Sequence, residues 1–314
     1  MEMEAHRTPG EPGGAAPRLF QGTVPPGEHP RAVDFLAALA PGLSRRRLKE
    51  AMAKGAVWLG RQGRERRLRR ATYRLRPGDR LLLYHDPRIL EREPPRARLL
   101  HDAGRWSAWL KPPGLLTQGS RWGDHSSLER QAARLLGGRP VHLVQRLDRE
   151  AGGLLVVAHD RGAAARLGEQ LRRGEMDKAY LAEVLGDLAA SHGPEGEVAV
   201  PLDRKEALTR WRVLAWDPER GASLVALRIV TGRRHQIRRH LEILGHPVLG
   251  DPRYGRRNKN REGLRLAAVG LAFRDPASGR PVALRLDPRR LGFPAPPPEL
   301  RLDGRVLPAV ELRP

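Results

Sequence analysis

Val141–Asp160 reads VHLVQRLDREAGGLLVVAHD, and the change of character in its middle decides how the surrounding chain folds. Asp148 stands between Arg146 and Arg149, and Gly152-Gly153 then deliver the chain into the apolar run Leu154–Ala158. Two glycines before an unbroken apolar run predict a tight turn entering a buried strand. Such a turn holds a carboxylate at the mouth of a cleft, although a surface salt bridge beside a glycine turn fits the same residues equally well. A second segment, Thr231–Gly255 (TGRRHQIRRHLEILGHPVLGDPRYG), sets the helical stripe Ile237, Leu241 and Leu244 under a dense basic surface. Arg234 and Arg238 share another face of that helix.

Outward from these segments, short strands alternate with modest helices. Leu128–Leu136 and Ala163–Leu171 read as helices, whereas Tyr180–Leu185, Trp211–Leu214 and Leu224–Val230 read as strands. The pattern predicts an α+β domain with a mixed or antiparallel central sheet over residues 99–292. Nearer the N-terminus, Val33, Leu36 and Leu39 recur at helical spacing, and Ser44 can cap a second helix that turns Leu48, Ala51 and Met52 inward. Gly55 suits the end of that helix, and Val57–Leu59 and Arg80–Tyr84 read as strands, giving a small α/β domain over 31–86. Met1–Pro30, rich in Gly, Pro and Glu, is expected to be a flexible arm. Residues 87–98 read as a semi-rigid linker and 293–314 as a proline-rich tail.

The 314 residues carry 58 Lys+Arg against 36 Asp+Glu, a net charge of +22, so a polyanion is the expected partner. A G+C-rich coding sequence also inflates arginine, so charge does not choose between nucleic acids. The absence of cysteine excludes disulfides, thiolate nucleophiles and cysteine-bearing metal sites. No apolar run is long enough to span a bilayer and no apolar leader follows a basic head, so no membrane partner and a cytoplasmic location are expected. Arg45, Arg46, Arg47 and Lys49 lie away from the apolar stripe of the second helix, beside the basic segment Arg61–Arg74. That face reads as a phosphate-binding surface or as an ordinary solvated helix face.

Chemistry alone marks few other residues. Tyr180 reads as a sheet aromatic able to offer a flat platform and a hydroxyl. His235 and His240 are five residues apart, unlike the four-residue spacing of two helix-borne metal ligands, so structural hydrogen bonding is expected of both and no metal is assigned.

The two long segments resemble, in the order in which they occur, the signature motifs of the RluA-type RNA pseudouridine synthases. Arg146-Leu147-Asp148 is similar to the family's catalytic aspartate motif, and Gly232–His240 with Gly245–Gly255 to its later motif. Lys111–Gly114 (KPPG) and Lys178–Ala182 (KAYLA) resemble its early and tyrosine motifs. The resemblance implies isomerisation of uridine to pseudouridine in structured RNA, ribosomal RNA ahead of transfer RNA, by a cofactor-free monomer. Its domain is a long central sheet crossed by the active-site cleft. Asp148 would initiate cleavage of the N1–C1′ bond, by attack at C1′ or at the base, after which the uracil turns and rejoins through C5. Tyr180 would stack on the base and serve the C5 proton step. Arg238 would hold Asp148 ionised through parallel hydrogen bonds.

Flipping the uridine costs a few kcal/mol, and the resemblance gives Arg146 that task, a salt bridge positioning the aspartate loop being the simpler role. Asp251 and Tyr254 would support the site loop, and Arg233, Arg234 and Arg239 would meet phosphates or ordinary carboxylates. Arg31–Tyr84 resembles the small ribosomal-protein-type RNA-binding domain found ahead of many of these synthases, with Trp58 and Arg61 departing from its closing turn. Gln145, Ala151-Gly152 and Ala267-Ala268 depart from common residues of the catalytic motifs. A catalytically idle RNA-binding or ribosome-assembly protein is the alternative that these departures keep open.

Overall fold

The computed structural model describes residues 16–256, 258 and 260–294, with the backbone of 310–311. The described residues divide into two compact units, one within Met1–Pro94 and Gln118–Gln131, the other within Pro95–Thr117 and Ala132–Pro314.

In the first unit the elements follow as β1 (Arg18–Thr23), α1 (Ala32–Leu39), α2 (Arg45–Ala53), β2 (Val57–Arg61), β3 (Arg64–Arg67), β4 (Arg80–His85) and the short α3 (Pro87–Leu90). Its strands form one sheet in the order β1-β4-β2-β3. Val33 and Leu36 of α1 and Leu48, Ala51 and Met52 of α2 bury their stripes against Leu59, Leu81 and Leu83 of the sheet. Removing such apolar stripes from water, at about 25 cal/mol per Å2, is what makes two short helices stay folded. Ser44 Oγ accepts the Arg47 N–H at 3.3 Å, capping α2 as its sequence predicts.

Three expectations change here. The flexible arm over 1–30 holds a strand: Arg18–Thr23 pairs antiparallel along the whole of β4, because β4 has an open edge whose backbone groups need partners. Residues 1–15 lie outside the described residues, as do those of the proline-rich tail at 295–309 and 312–314. The linker over 87–98 is partly structural, since α3 sends Leu90 into the first core. The basic segment Arg61–Arg74 is also not a free cationic face. Arg61 donates to both oxygens of the buried Asp79, at 2.6 and 2.7 Å, and Arg67 and Arg69 converge on Asp124.

Asp124 arrives from the segment Gln118–Gln131, which belongs to this unit although it lies far along the chain. Trp58, one of the departures from the resembling motif, donates through Nε1 to the Arg121 carbonyl at 3.1 Å. The guanidinium groups of Arg67 and Arg121 lie 4.4 and 5.3 Å from its ring centre, within cation–π range. The large residue at 58 thus grips the segment.

The second unit runs β5 (Arg98–Asp102), β6 (Trp106–Lys111), α4 (Leu128–Leu135, begun in the preceding unit's segment), β7 (His142–Leu143), β8 (Gly152–Ala158), α5 (Arg161–Arg172) and β9 (Asp177–Leu185). It continues with α6 (Leu188–His192), β10 (Glu195–Val198), β11 (Thr209–Asp217), β12 (Ala222–Ile229), α7 (Gln236–Ile243), β13 (Leu266–Arg274), β14 (Pro281–Arg285) and β15 (Val310–Glu311). The main path of its sheet is β10-β11-β12-β9-β13-β8-β6-β5. The sheet is mixed, because β13 runs antiparallel to β9 and parallel to β8. Alternating side chains of the central strands feed two cores. Tyr180, Ala182, Val184, Val225 and Leu227 face one side with Ile237 and Leu241 of α7. Leu181, Leu224, Ala226, Ala267 and Val269 face the other. Burial on both faces is why β8 reads as one continuous apolar run.

The glycine pair before that run has a specific task. At Gly153, φ is +126° and an added Cβ would lie 2.3 Å from the Ala268 carbonyl oxygen, so β8 and β13 meet only because this position has no side chain. Gly153→Ala is expected to destabilise the protein by about 3 kcal/mol or more. Gly63→Ala, also at positive φ but with nothing within 4 Å, is expected to cost about 1 kcal/mol. Urea titrations of both variants check the contrast, and equal losses would contradict the packing role of Gly153.

Candidate active site

Asp148 lies on the turn before β8, and the backbone on both sides of it is held. On one side Thr117 Oγ1 donates to the Leu147 carbonyl at 2.8 Å and accepts the Leu147 N–H at 3.1 Å. On the other, Gly114 N–H donates to the Arg149 carbonyl at 2.7 Å. Lys111 Nζ reaches the carbonyls of Pro112, Leu115 and Arg149 at 3.1, 2.8 and 3.3 Å. Lys111 is fully buried at the end of β6, and burial lowers its pKa to about 7 against the opposing pull of Glu150 and Asp148. Its three carbonyl acceptors match the three protons of the ammonium form. The KPPG segment therefore works as a clamp under the aspartate turn. Lys111 entered the sequence reading only as the head of the KPPG segment, with no site role, and Thr117 did not enter it.

Arg238 projects from α7 and is 2% exposed. Its Nη1 donates to Asp148 Oδ2 at 2.9 Å, while Nε and Nη2 form a parallel pair with Asp251 at 2.6 and 2.7 Å. The expectation of parallel bonds to Asp148 is thus corrected: Asp251 takes the fork and Asp148 a single bond. The reason is desolvation. The Asp251 side chain is 0% exposed and needs full pairing, whereas the Asp148 side chain is 25% exposed and is partly solvated. Burial acts to lower the Arg238 pKa, but hydrogen bonds to Asp251 and Asp148 more than offset it and raise it above the ordinary guanidinium range. Burial acts in the opposite sense on Asp251, where Arg238 and the N–H groups of Arg253 and Tyr254 hold the carboxyl below its usual range.

Tyr180, on β9, is 7% exposed and shares an apolar cluster with Leu147 and Ala151 on either side of Asp148. Burial, and then the Asp148 charge, push its hydroxyl well above the ordinary tyrosine range. The Tyr180 hydroxyl has no hydrogen-bond partner among the described residues. The Tyr254 ring covers the Arg238 guanidinium at 5.2 Å, so Asp251 and Tyr254 both stand at the site.

His235 was expected to be structural, and its Nδ1 does meet the Tyr254 hydroxyl at 3.0 Å. Its Nε2, however, faces Asp148 Oδ1 at 3.7 Å. His240 is fully structural, bonded to Thr209 Oγ1 and the Val200 carbonyl, each at 2.9 Å. Arg146 is exposed and makes no ion pair among the described residues. Arg233 donates to the Glu206 carbonyl at 2.8 Å, Arg239 pairs with Asp203 at 2.9 Å, and Arg234 is exposed. The Gly152 departure is filled locally, since a Cβ there would lie 2.9 Å from Leu291 Cδ2 and 3.1 Å from Pro113 Cδ. Gln145 Nε2 is buried with no partner among the described residues.

The structure thus brings together a carboxylate anchored at one oxygen, a buried tyrosine and an arginine that bonds Asp148 and forks onto Asp251. The family model for RNA pseudouridylate synthases matches residues 105–243, which hold Asp148, Tyr180 and Arg238. A protein of Chloroflexus aurantiacus, described as an uncharacterized RNA pseudouridine synthase, is 33% identical over 282 residues, covering 82% of this chain and 86% of its own. The chain belongs to the RNA pseudouridine synthases. The synthase is also 37% identical over 193 residues to the ribosomal large subunit pseudouridine synthase C of Escherichia coli, spanning 54% of this chain and 59% of that one. A solved human structure, RNA pseudouridylate synthase domain containing 4, superposes with a TM-score of 0.51 at 25% identity. It covers 63% of this synthase and 94% of its own chain. No helix among the described residues is long and apolar enough to cross a membrane.

Proposed function

We propose that the synthase converts specific uridines of large-subunit ribosomal RNA to pseudouridine, with Asp148 as nucleophile, Tyr180 as base platform and proton carrier, and Arg238 as anchor. The observation that carries the assignment is the unequal treatment of the Asp148 oxygens: Oδ2 is held by Arg238 at 2.9 Å, whereas Oδ1 makes no hydrogen bond among the described residues and has His235 Nε2 3.7 Å away. In the reaction the N1–C1′ bond breaks while Asp148 engages the nucleoside, the uracil turns, C5 bonds to C1′ as the Asp148 carboxylate is freed, and the proton lost from C5 is matched by one taken up at N1. The products contain every atom of the reactants, so no co-reactant or cofactor is required. That the Escherichia coli relative is a ribosomal large subunit synthase supports ribosomal RNA over transfer RNA. Arg146, exposed and without an ion pair among the described residues, fits a residue that enters the stack when the base flips out.

The first unit serves as the RNA-binding module. Among the described residues Arg45 and Arg46 pair with the exposed Asp34 and Glu50, and Arg47 approaches Glu91 at 4.0 Å. Surface pairs of this kind contribute roughly 0–1 kcal/mol, so phosphates displace them readily. Lys49, Arg233, Arg234 and Arg239 extend the same phosphate-binding role, and the synthase acts as a cytoplasmic monomer. Transcriptome-wide pseudouridine mapping in cells with and without the gene tests this reading, followed by modification of unmodified large-subunit RNA with the purified protein. Loss and restoration of large-subunit sites is the expected result. Losses confined to transfer RNA would overturn the substrate, and no losses would overturn the activity.

A further inference from the structure

His235 occupies a conformation that its residue type rarely adopts. Its φ is 53° and ψ 29°, the left-handed region, which costs energy for any side chain other than glycine and is least unfavourable for Asn, Asp and His. The neighbouring residue holds it there. Gln236 Oε1 accepts from Thr231 Oγ1 at 2.7 Å and from the Arg233 N–H at 3.0 Å, while its Nε2 donates to the Leu208 carbonyl at 2.9 Å. A strained residue fixed by its surroundings at a site points to a task.

The task follows from what the two ring nitrogens meet. The Tyr254 hydroxyl lies 3.0 Å from Nδ1, and when it donates there the ring proton resides on Nε2. Nε2 is directed at Asp148 Oδ1, 3.7 Å away, while Arg238 holds Oδ2 at 2.9 Å. We propose that His235 is a positioning residue for the nucleophile: its neutral Nε2–H, with the tautomer set by Tyr254, aligns Asp148 Oδ1 for attack while Arg238 anchors Oδ2. The 3.7 Å separation leaves Oδ1 reactive, and the contact tightens when RNA fills the cleft. This inference rests on the assignment of Asp148 as nucleophile.

The groups facing His235 are Asp148, Arg238, Arg234 and Arg253, with Tyr254 at Nδ1. Burial lowers the imidazole pKa below its ordinary value near 6.5, Asp148 opposes the shift, and the three arginines reinforce it. The ring is therefore neutral at pH 7. Protonation at lower pH reverses the Tyr254 hydrogen bond and places a full positive charge beside Oδ1, drawing the carboxylate into an ion pair that slows attack.

Two measurements test the proposal. NMR titration of the His235 ring in the full-length protein is expected to show its pKa falling further in Asp148→Asn, since the carboxylate charge that favours the imidazolium is gone. Single-turnover rates on transcribed bacterial large-subunit ribosomal RNA, measured across pH, supply the second. His235→Ala is expected to lower the rate on the order of 100-fold. His235→Asn, which tolerates the same backbone and offers an amide N–H, is expected to recover about tenfold of that loss and to lack the acid limb of the wild-type profile. Tyr254→Phe, which loses only the hydroxyl, is expected to shift that limb as well, and so carries the test if either His235 variant fails to fold. A His235 pKa indifferent to Asp148→Asn, or an acid limb unchanged in both His235→Asn and Tyr254→Phe, would overturn the proposal. Full activity in Asp148→Asn would instead overturn the nucleophile assignment.

Discussion

Asp148→Asn removes pseudouridine formation, with a loss of about four orders of magnitude or more in single-turnover rate. The substitution keeps the side-chain volume and leaves the Arg238–Asp251 pair intact, so the fold is expected to survive. What disappears is the carboxylate charge on which the proposed attack depends. RNA affinity is expected to hold within about twofold, because phosphate binding rests on cationic groups elsewhere and losing one negative charge favours a polyanion slightly. Mass-spectrometric detection of the product, paired with filter binding on the same transcript, separates the two effects. Retention of a substantial rate would remove Asp148 from the chemistry.

Arg238→Ala carries the second large effect, and it strikes stability and activity together. Asp251 is 0% exposed and loses its paired donors, while Asp148 loses its anchor. Breaking a buried ion pair from one side costs about 3–5 kcal/mol, because the remaining charge stays desolvated. Arg238→Lys does not replace it, since an ammonium cannot match the two-pronged contact. Adding Asp251→Asn to Arg238→Met is expected to recover most of the stability and none of the activity, which distinguishes the two roles.

The pH dependence has a definite sign. In the wild type the Asp251 pKa is depressed in the folded state, so its stabilisation is present above the unfolded carboxyl value of about 4 and is lost as pH falls through the folded value. The gap between wild type and Arg238→Ala therefore narrows in acid. Urea midpoints at neutral and acidic pH check this, and a gap that widened in acid would contradict the pairing.

Sequence reveals this architecture where local signals are strong. The stripe of α7, the Ser44 cap and the apolar run of β8 are each decided within a few residues, and each appears as expected. The strand at Arg18–Thr23 was hidden because its neighbours are Gly and Pro and its pairing partner lies some sixty residues away. The core of the site was legible through resemblance, since Asp148, Tyr180 and Arg238 all sit in recognisable motifs. Which carboxylate receives the Arg238 fork was not legible, because that depends on how completely the fold buries Asp251. Lys111 and Thr117 escaped for a similar reason: their function is to bind backbone carbonyls and amides that a linear reading does not place nearby. His235 was legible as a hydrogen-bonding residue, but its left-handed backbone and its aim at Asp148 exist only in three dimensions.

The segment Gln118–Gln131 gives the chain an order that its two-unit description conceals. Asp124, gripped by Arg67 and Arg69, is separated from those arginines by residues that build the other unit. No single cut in the gene therefore separates the two units. A shuffled enzyme made by exchanging everything before residue 95 would keep Asp124 and Arg121 but lose Arg67, Arg69 and Trp58, which hold their segment. Exchanging the first unit therefore takes paired replacement, carrying the inserted segment along with the N-terminal part, or it leaves Asp124 without its cations.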